Sequence, residues 1–106
     1  MSRFAVGPLA DLPQGAATPV EFDGIAIAVV PTAEGVFAIE DRCSHARIKL
    51  SLGEVHGCFI ECWKHGAEFD LRTGQPQSLP ATEPVRTFPV SIELVDGTPT
   101  VFVEIG

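Results

Sequence analysis

The sequence is poor in bases. Seven lysines and arginines stand against fourteen aspartates and glutamates, giving a formal charge of −7. That balance argues against nucleic acid as a partner, because phosphate binding needs clustered Lys and Arg. Long apolar runs are also missing. The longest, Ile25 to Val30, falls far short of the roughly twenty residues of a membrane-spanning helix. The opening Met-Ser-Arg-Phe-Ala-Val-Gly-Pro lacks the apolar stretch and small-residue cleavage site of a signal peptide. A cytoplasmic protein, not anchored to a membrane, is expected. Cysteine is scarce and odd in number, with only Cys43, Cys58 and Cys62. That count speaks against a disulfide framework and for metal or reactive-thiol chemistry. Repeats, low-complexity tracts and linker-like stretches are absent, so the 106 residues read as one domain with a modest core. No nucleophile–base pair is visible, and the chain is not read as an enzyme by itself.

Strand signals dominate what is present. Segments 19–22, 25–30, 36–40, 59–61, 85–92 and 100–105 are short and rich in β-branched or aromatic residues. Asp23-Gly24, Glu34-Gly35, His56-Gly57, Thr73-Gly74 and Asp96-Gly97 punctuate them. Nine prolines and ten glycines leave little room for long helices, and only Leu9–Leu12 could form a helical turn. The fold class is therefore all-β, an antiparallel sandwich or small barrel. The stretch 41–75 differs, because it holds all three Cys, all three His and the only Trp. It reads as a loop-rich insertion. Between Asp41 and Gly74 five bases balance five acids, so the whole −7 lies elsewhere.

The chemistry sits in two short motifs. Cys43-Ser44-His45 and Cys62-Trp63-Lys64-His65 are separated by sixteen residues. Each supplies one thiolate and one imidazole, and a hairpin of Gly53–Val55 with Phe59–Glu61 around His56-Gly57 could bring them together. Zinc accepts two sulfurs and two nitrogens, but zinc fingers usually take a cysteine pair from one loop and a histidine pair from the other. A two-iron cluster, with both Cys on one iron and both His on the other, accounts for loops that are each mixed. The spacing favours iron.

In these motifs the chain resembles the Rieske ferredoxins of bacterial ring-hydroxylating dioxygenases. It is also similar to the small Rieske subunits of nitrite reductases. The likeness is strongest in Cys43–His45, in Leu50-Ser51 and from Cys62 through Gly74, and it continues from Pro80 to Val90. Two departures stand out: Trp63 where proline is common, and Ala46 near a position where glycine is common. The resemblance implies a basal β part at about 1–40 and 76–106 and a cluster-binding subdomain at about 41–75. It implies a [2Fe–2S] cluster held by Cys43, His45, Cys62 and His65, fed by a flavin-dependent reductase and drained by a terminal oxygenase. Histidine ligation makes such a cluster two charge units less negative than an all-cysteine one, which raises its potential.

Neighbouring residues gain expectations from the same comparison. Gly66 lets backbone N–H groups approach the cluster. Trp63 and Phe69 either shield it or form plain core. Arg47, Lys49 and Lys64 would surround the electron's exit. Respiratory Rieske proteins would carry a loop-tying cysteine pair at Ile48 and Lys64, and hydroxyl donors at Ala67 and Phe69; all four are absent here, and the chain has no Tyr. His56 is expected to be solvent-exposed and Cys58 a buried, inert thiol. A nitrite-reductase-like subunit, a structural zinc module and a redox sensor are the competing readings.

Overall fold

The computed structural model describes residues 2–42, 48–63, 67–77 and 83–105. Cys43, His45, Lys64, His65 and Gly66 lie outside these described residues, as do Ala46 and Arg47. The described chain folds into three antiparallel sheets. The first orders β1 (Ser2–Pro8), β10 (Thr98–Ile105) and β9 (Val90–Val95). The second orders β2 (Thr18–Phe22), β3 (Ile25–Thr32), β4 (Gly35–Glu40) and β8 (Thr87–Phe88). The third orders β5 (Val55–His56), β6 (Phe59–Glu61) and β7 (Glu68–Asp70).

The apolar run Ile25–Val30 explains how the layers stack. Side chains alternate across a strand, and on β3 both faces are buried. Ile27 and Val29 join Ala38, Phe88, Val101 and Val103 in one core against the first sheet. Ala28 and Val30 join Ile39, Leu50, Ile60, Phe69 and Leu71 in a second core against the third sheet. The second sheet is thus the middle layer, and a strand buried on both faces reads as a continuous apolar run.

Turn chemistry sets the registers. Asp23-Gly24 joins β2 to β3 and Asp96-Gly97 joins β9 to β10, with positive φ at all four residues (54°, 78°, 50° and 79°). This is the backbone that a tight two-residue hairpin requires and that Asp-Gly tolerates. The β5–β6 loop is Gly57-Cys58, one residue later than the His56-Gly57 turn expected, since His56 pairs with Phe59. Gly57 carries the positive φ, 60°, at the first loop position, where a type II′ turn demands glycine.

The expected 85–92 strand is divided. Thr87 and Phe88 pair with β4, whereas Val90 onward pairs with β10. Pro89 stands between them and its carbonyl accepts from Glu104 N–H at 2.9 Å. The chain changes sheets at a residue that has no N–H to give to either ladder. Two strands were not anticipated. In β1, Gly7 interrupts the pattern at a bulge, and in β7 two acids flank a single Phe, so pairing rather than propensity makes it a strand. The Leu9–Leu12 turn is a short 3-10 helix at Leu9–Asp11 closed by Leu12 N–H. No helix among the described residues is long and apolar enough to cross a membrane.

Candidate metal centre

Of the four expected ligands, Cys62 is described. It lies just past the end of β6, is fully buried and forms no disulfide. Its N–H donates to Ala67 O at 2.6 Å, and the flanking Glu61 and Glu68 are register partners. The β6–β7 ladder thus holds together Cys62 and Ala67, the two sides of the stretch that includes His65.

The other motif is closed at its base by side chains. Asp41 accepts from Ser51 N–H through Oδ1 and from Ser51 Oγ–H through Oδ2, each at 2.7 Å. Asp41 N–H in turn donates to Ala26 O on β3 at 2.9 Å. Asp41 is buried, and a buried carboxylate needs such partners. Asp41 and Ser51, which flank the segment carrying Cys43 and His45 in sequence, are thus tied to each other, and Asp41 is tied to the middle sheet. Sequence reasoning missed Asp41. The only available signal was an acid two residues before the first Cys with Ser51 ten residues on.

A glycine packs the chain after the first motif against the residues around Cys62. At Gly53 an added Cβ would fall 1.6 Å from Glu61 O and 3.3 Å from Trp63 N. The arm leaving the first loop therefore lies directly on the strand end leading into Cys62, with no room for a side chain. Leu50, Cys62, Ala67 and Phe69 share one core, so both loops rest on the same support.

The tail of the second loop is locked as well. Asp70 accepts from Arg72 N–H, Nε–H and Nη2–H at 2.9, 3.0 and 3.0 Å. The Arg72 guanidinium holds the Asp70 carboxyl below its ordinary value, against the opposing effect of burial. Gly74 has φ +78°, and a Cβ there would meet Val85 O at 2.1 Å. Thr73-Gly74 is a turn, as expected, but Gly74 is also required for this close approach.

Other expectations resolve separately. Phe69 is fully buried and belongs to the core. Trp63 is 56% exposed and so is not plain core. His56 is exposed, 3.4 Å from Glu54. Cys58 is buried, but its thiol donates to Glu34 at 2.9 Å. This hydrogen bond, with burial and the Glu34 charge, pushes the thiol above its ordinary value.

A fully buried thiol outside any disulfide, packed with residues that follow each ligand motif, fits the sulfur donor of an iron–sulfur site. The Rieske [2Fe–2S] domain family matches residues 2–89 of this sequence. The chain belongs to that family. It shares 38% identity over 94 residues, 88% of each chain, with the 3-phenylpropionate/cinnamic acid dioxygenase ferredoxin subunit of Escherichia coli K12. Its structure is similar to the ferredoxin of carbazole 1,9a-dioxygenase from Nocardioides aromaticivorans IC177, with TM-score 0.91, 35% identity and all of both chains covered. It is similar too to a chain in the complex of reduced oxygenase and oxidized ferredoxin of carbazole 1,9a-dioxygenase, with TM-score 0.82, 33% identity, and 95% and 91% of the two chains covered. This Rieske protein carries a [2Fe–2S] cluster and serves as a one-electron carrier, which sets the zinc reading aside.

Proposed function

We propose that this Rieske protein is the ferredoxin component of a ring-hydroxylating dioxygenase system. It takes an electron from a flavin-dependent ferredoxin reductase and passes it to a terminal non-haem iron oxygenase, and is not itself the catalyst. The cluster is held by Cys43, His45, Cys62 and His65, within a subdomain of about 41–75 borne on a basal part of about 1–40 and 76–106. The cytoplasm, where the nicotinamide-linked reductase would work, is its place. When bound, the cluster takes up and releases one electron at a time.

The observation that carries the reading is the placement of Cys62, fully buried, held to Ala67 and followed by Trp63, against whose N–H Gly53 packs closely. The protein's own part is to hold a small redox site rigidly and to present it. Asp41 and Gly53 position the first loop, Ala67 closes the second, and Phe69 fills the support beneath. Two large apolar side chains are exposed, Trp63 directly after Cys62 at 56% and Leu52 before the tightly packed Gly53 at 66%. An exposed aromatic and a leucine at the rim of a redox site suit a partner that docks and leaves. The ferredoxin relatives over nearly the whole length support the same client.

The test is reconstitution. The purified protein should contain two irons and two acid-labile sulfides. Together with a flavoprotein ferredoxin reductase and a ring-hydroxylating oxygenase, it should support oxygenase reduction that stops when the protein is left out. Iron without sulfide, or oxygenase reduction unaffected by its omission, would overturn the proposal.

A further inference from the structure

A cleft lies at the base of the first ligand loop, distinct from the place of Cys62. It has a volume of about 610 Å³ and is lined by Arg42, Lys49 and Arg86 around apolar Ile25, Ile48 and Phe88. We infer that this cleft receives an acidic, partly apolar peptide segment of a protein that exchanges electrons with this one. The inference rests on the electron-carrier reading above and adds where, and by what chemistry, a partner is held.

Charge is the first argument. The chain has twice as many acids as bases, yet three of its seven bases meet here. Two carboxylates, Glu40 and Asp41, also line the cleft. Both oxygens of Asp41 are taken by Ser51, and Glu40 approaches Arg42 only to 3.6 Å. The cleft thus inverts the chain's overall balance, which favours an acidic occupant there.

Preorganisation is the second. The Arg86 guanidinium lies over the Phe88 ring, 4.6 Å from its centroid, and Arg86 O accepts from Glu40 N–H at 2.7 Å. A stacked guanidinium has lost much of its freedom already and still offers its N–H fork to a carboxylate. The Arg42 side chain is 64% exposed. Arg3 and Arg72 are paired more closely, with Glu93 and Asp70, than Arg42 is with Glu40.

Position is the third. Arg42 directly precedes Cys43, and Lys49 lies on the returning arm of the same loop. A segment seated in the cleft therefore contacts Arg42, Ile48 and Lys49, which flank in sequence the stretch bearing two of the proposed ligands. The apolar walls of Ile25, Ile48 and Phe88 suit an acidic stretch that also carries a hydrophobic residue, rather than a bare anion.

A synthetic hexaglutamate peptide is the probe, titrated at low ionic strength into the intact, cluster-loaded protein while amide shifts are followed by NMR. Saturable shifts should centre on Ile25, Ala26, Lys49 and Phe88. The R42Q/R86Q variant, checked for an unchanged visible spectrum and circular dichroism, should bind about tenfold or more weakly, as expected for lost charge-assisted hydrogen bonds. Equal binding by R42Q/R86Q, shifts centred on β9 or Arg72, no saturable shift, or equal occupancy by free glutamate at matched carboxylate concentration would overturn the inference. Failure of the broader reading shows differently, as a wild type that binds the peptide but reduces no oxygenase.

Discussion

Asp41 holds Ser51 with both carboxylate oxygens at 2.7 Å, closing the first ligand loop across nine intervening residues. Asp41→Ala strips the partner from a partly buried backbone N–H and a hydroxyl at once. It should lower stability by about 1–3 kcal/mol and reduce cluster content at purification. Ser51→Ala keeps the backbone bond and should cost less, about 1 kcal/mol. Thermal unfolding and the iron-to-protein ratio of the two variants check the order.

Gly53→Ala should be far more damaging than its size suggests. The added Cβ would meet the Glu61 backbone carbonyl, which cannot swing away without opening the β5–β6–β7 sheet. Gly57→Ala is the control: nothing lies near its Cβ position, and only the positive φ opposes it, at a cost of about 1–2 kcal/mol. Expression of G53A should give apoprotein or aggregate, while G57A should keep its cluster.

Cys58 should be slow to alkylate in the folded protein. Its thiol is raised in pKa, chiefly by the hydrogen bond to Glu34, so less thiolate is present at a given pH. A raised folded value means that the neutral thiol is favoured by folding. The corresponding stability is fully present below the unfolded thiol value and is lost as pH rises through the folded one. Glu34→Gln should therefore accelerate iodoacetamide labelling of Cys58 at pH 8 and flatten the loss of stability at alkaline pH. Mass spectrometry of the modified site reads the first, and urea unfolding against pH reads the second.

The reduction potential should fall at the low end of the Rieske range of about −150 to +300 mV, below about 0 mV. Ala67 and Phe69 offer no hydroxyl where respiratory Rieske proteins have donors, and both are fully buried. Ala67→Ser should raise the potential, and Phe69→Tyr should do so where the added oxygen can be accommodated. Voltammetry on wild type and variants decides. A wild-type value above about +150 mV, high in that range, would mean that another factor dominates.

Much of the fold was legible because its signals are local. The Asp-Gly turns demanded positive φ, and the run Ile25–Val30 announced a buried strand. What escaped was decided by tertiary contact. Glu68–Asp70 is a strand only because Phe59–Glu61 pairs with it. Pro89 looks like an interruption within one strand and is instead a corner between two sheets. At the site, residue type and spacing pointed to the ligands because soft donors in a tight pattern have few other uses. The residues that hold the loops gave no such signal. Gly53 is an ordinary turn glycine in sequence, and its need appears only when the Glu61 carbonyl stands beside it. Trp63, an aromatic next to a ligand, could equally have been core; the structure puts it at the surface.

The most direct test of the account is pulsed EPR of the reduced protein, grown with and without 15N-histidine. Two inequivalent histidine nitrogen couplings on the spin-bearing cluster are expected, changing together on labelling. H45A and H65A should each abolish the signal or leave a grossly altered one. A reduced cluster with no histidine nitrogen coupling, or a wild-type signal unchanged in H45A or H65A, would contradict the assignment of Cys43, His45, Cys62 and His65.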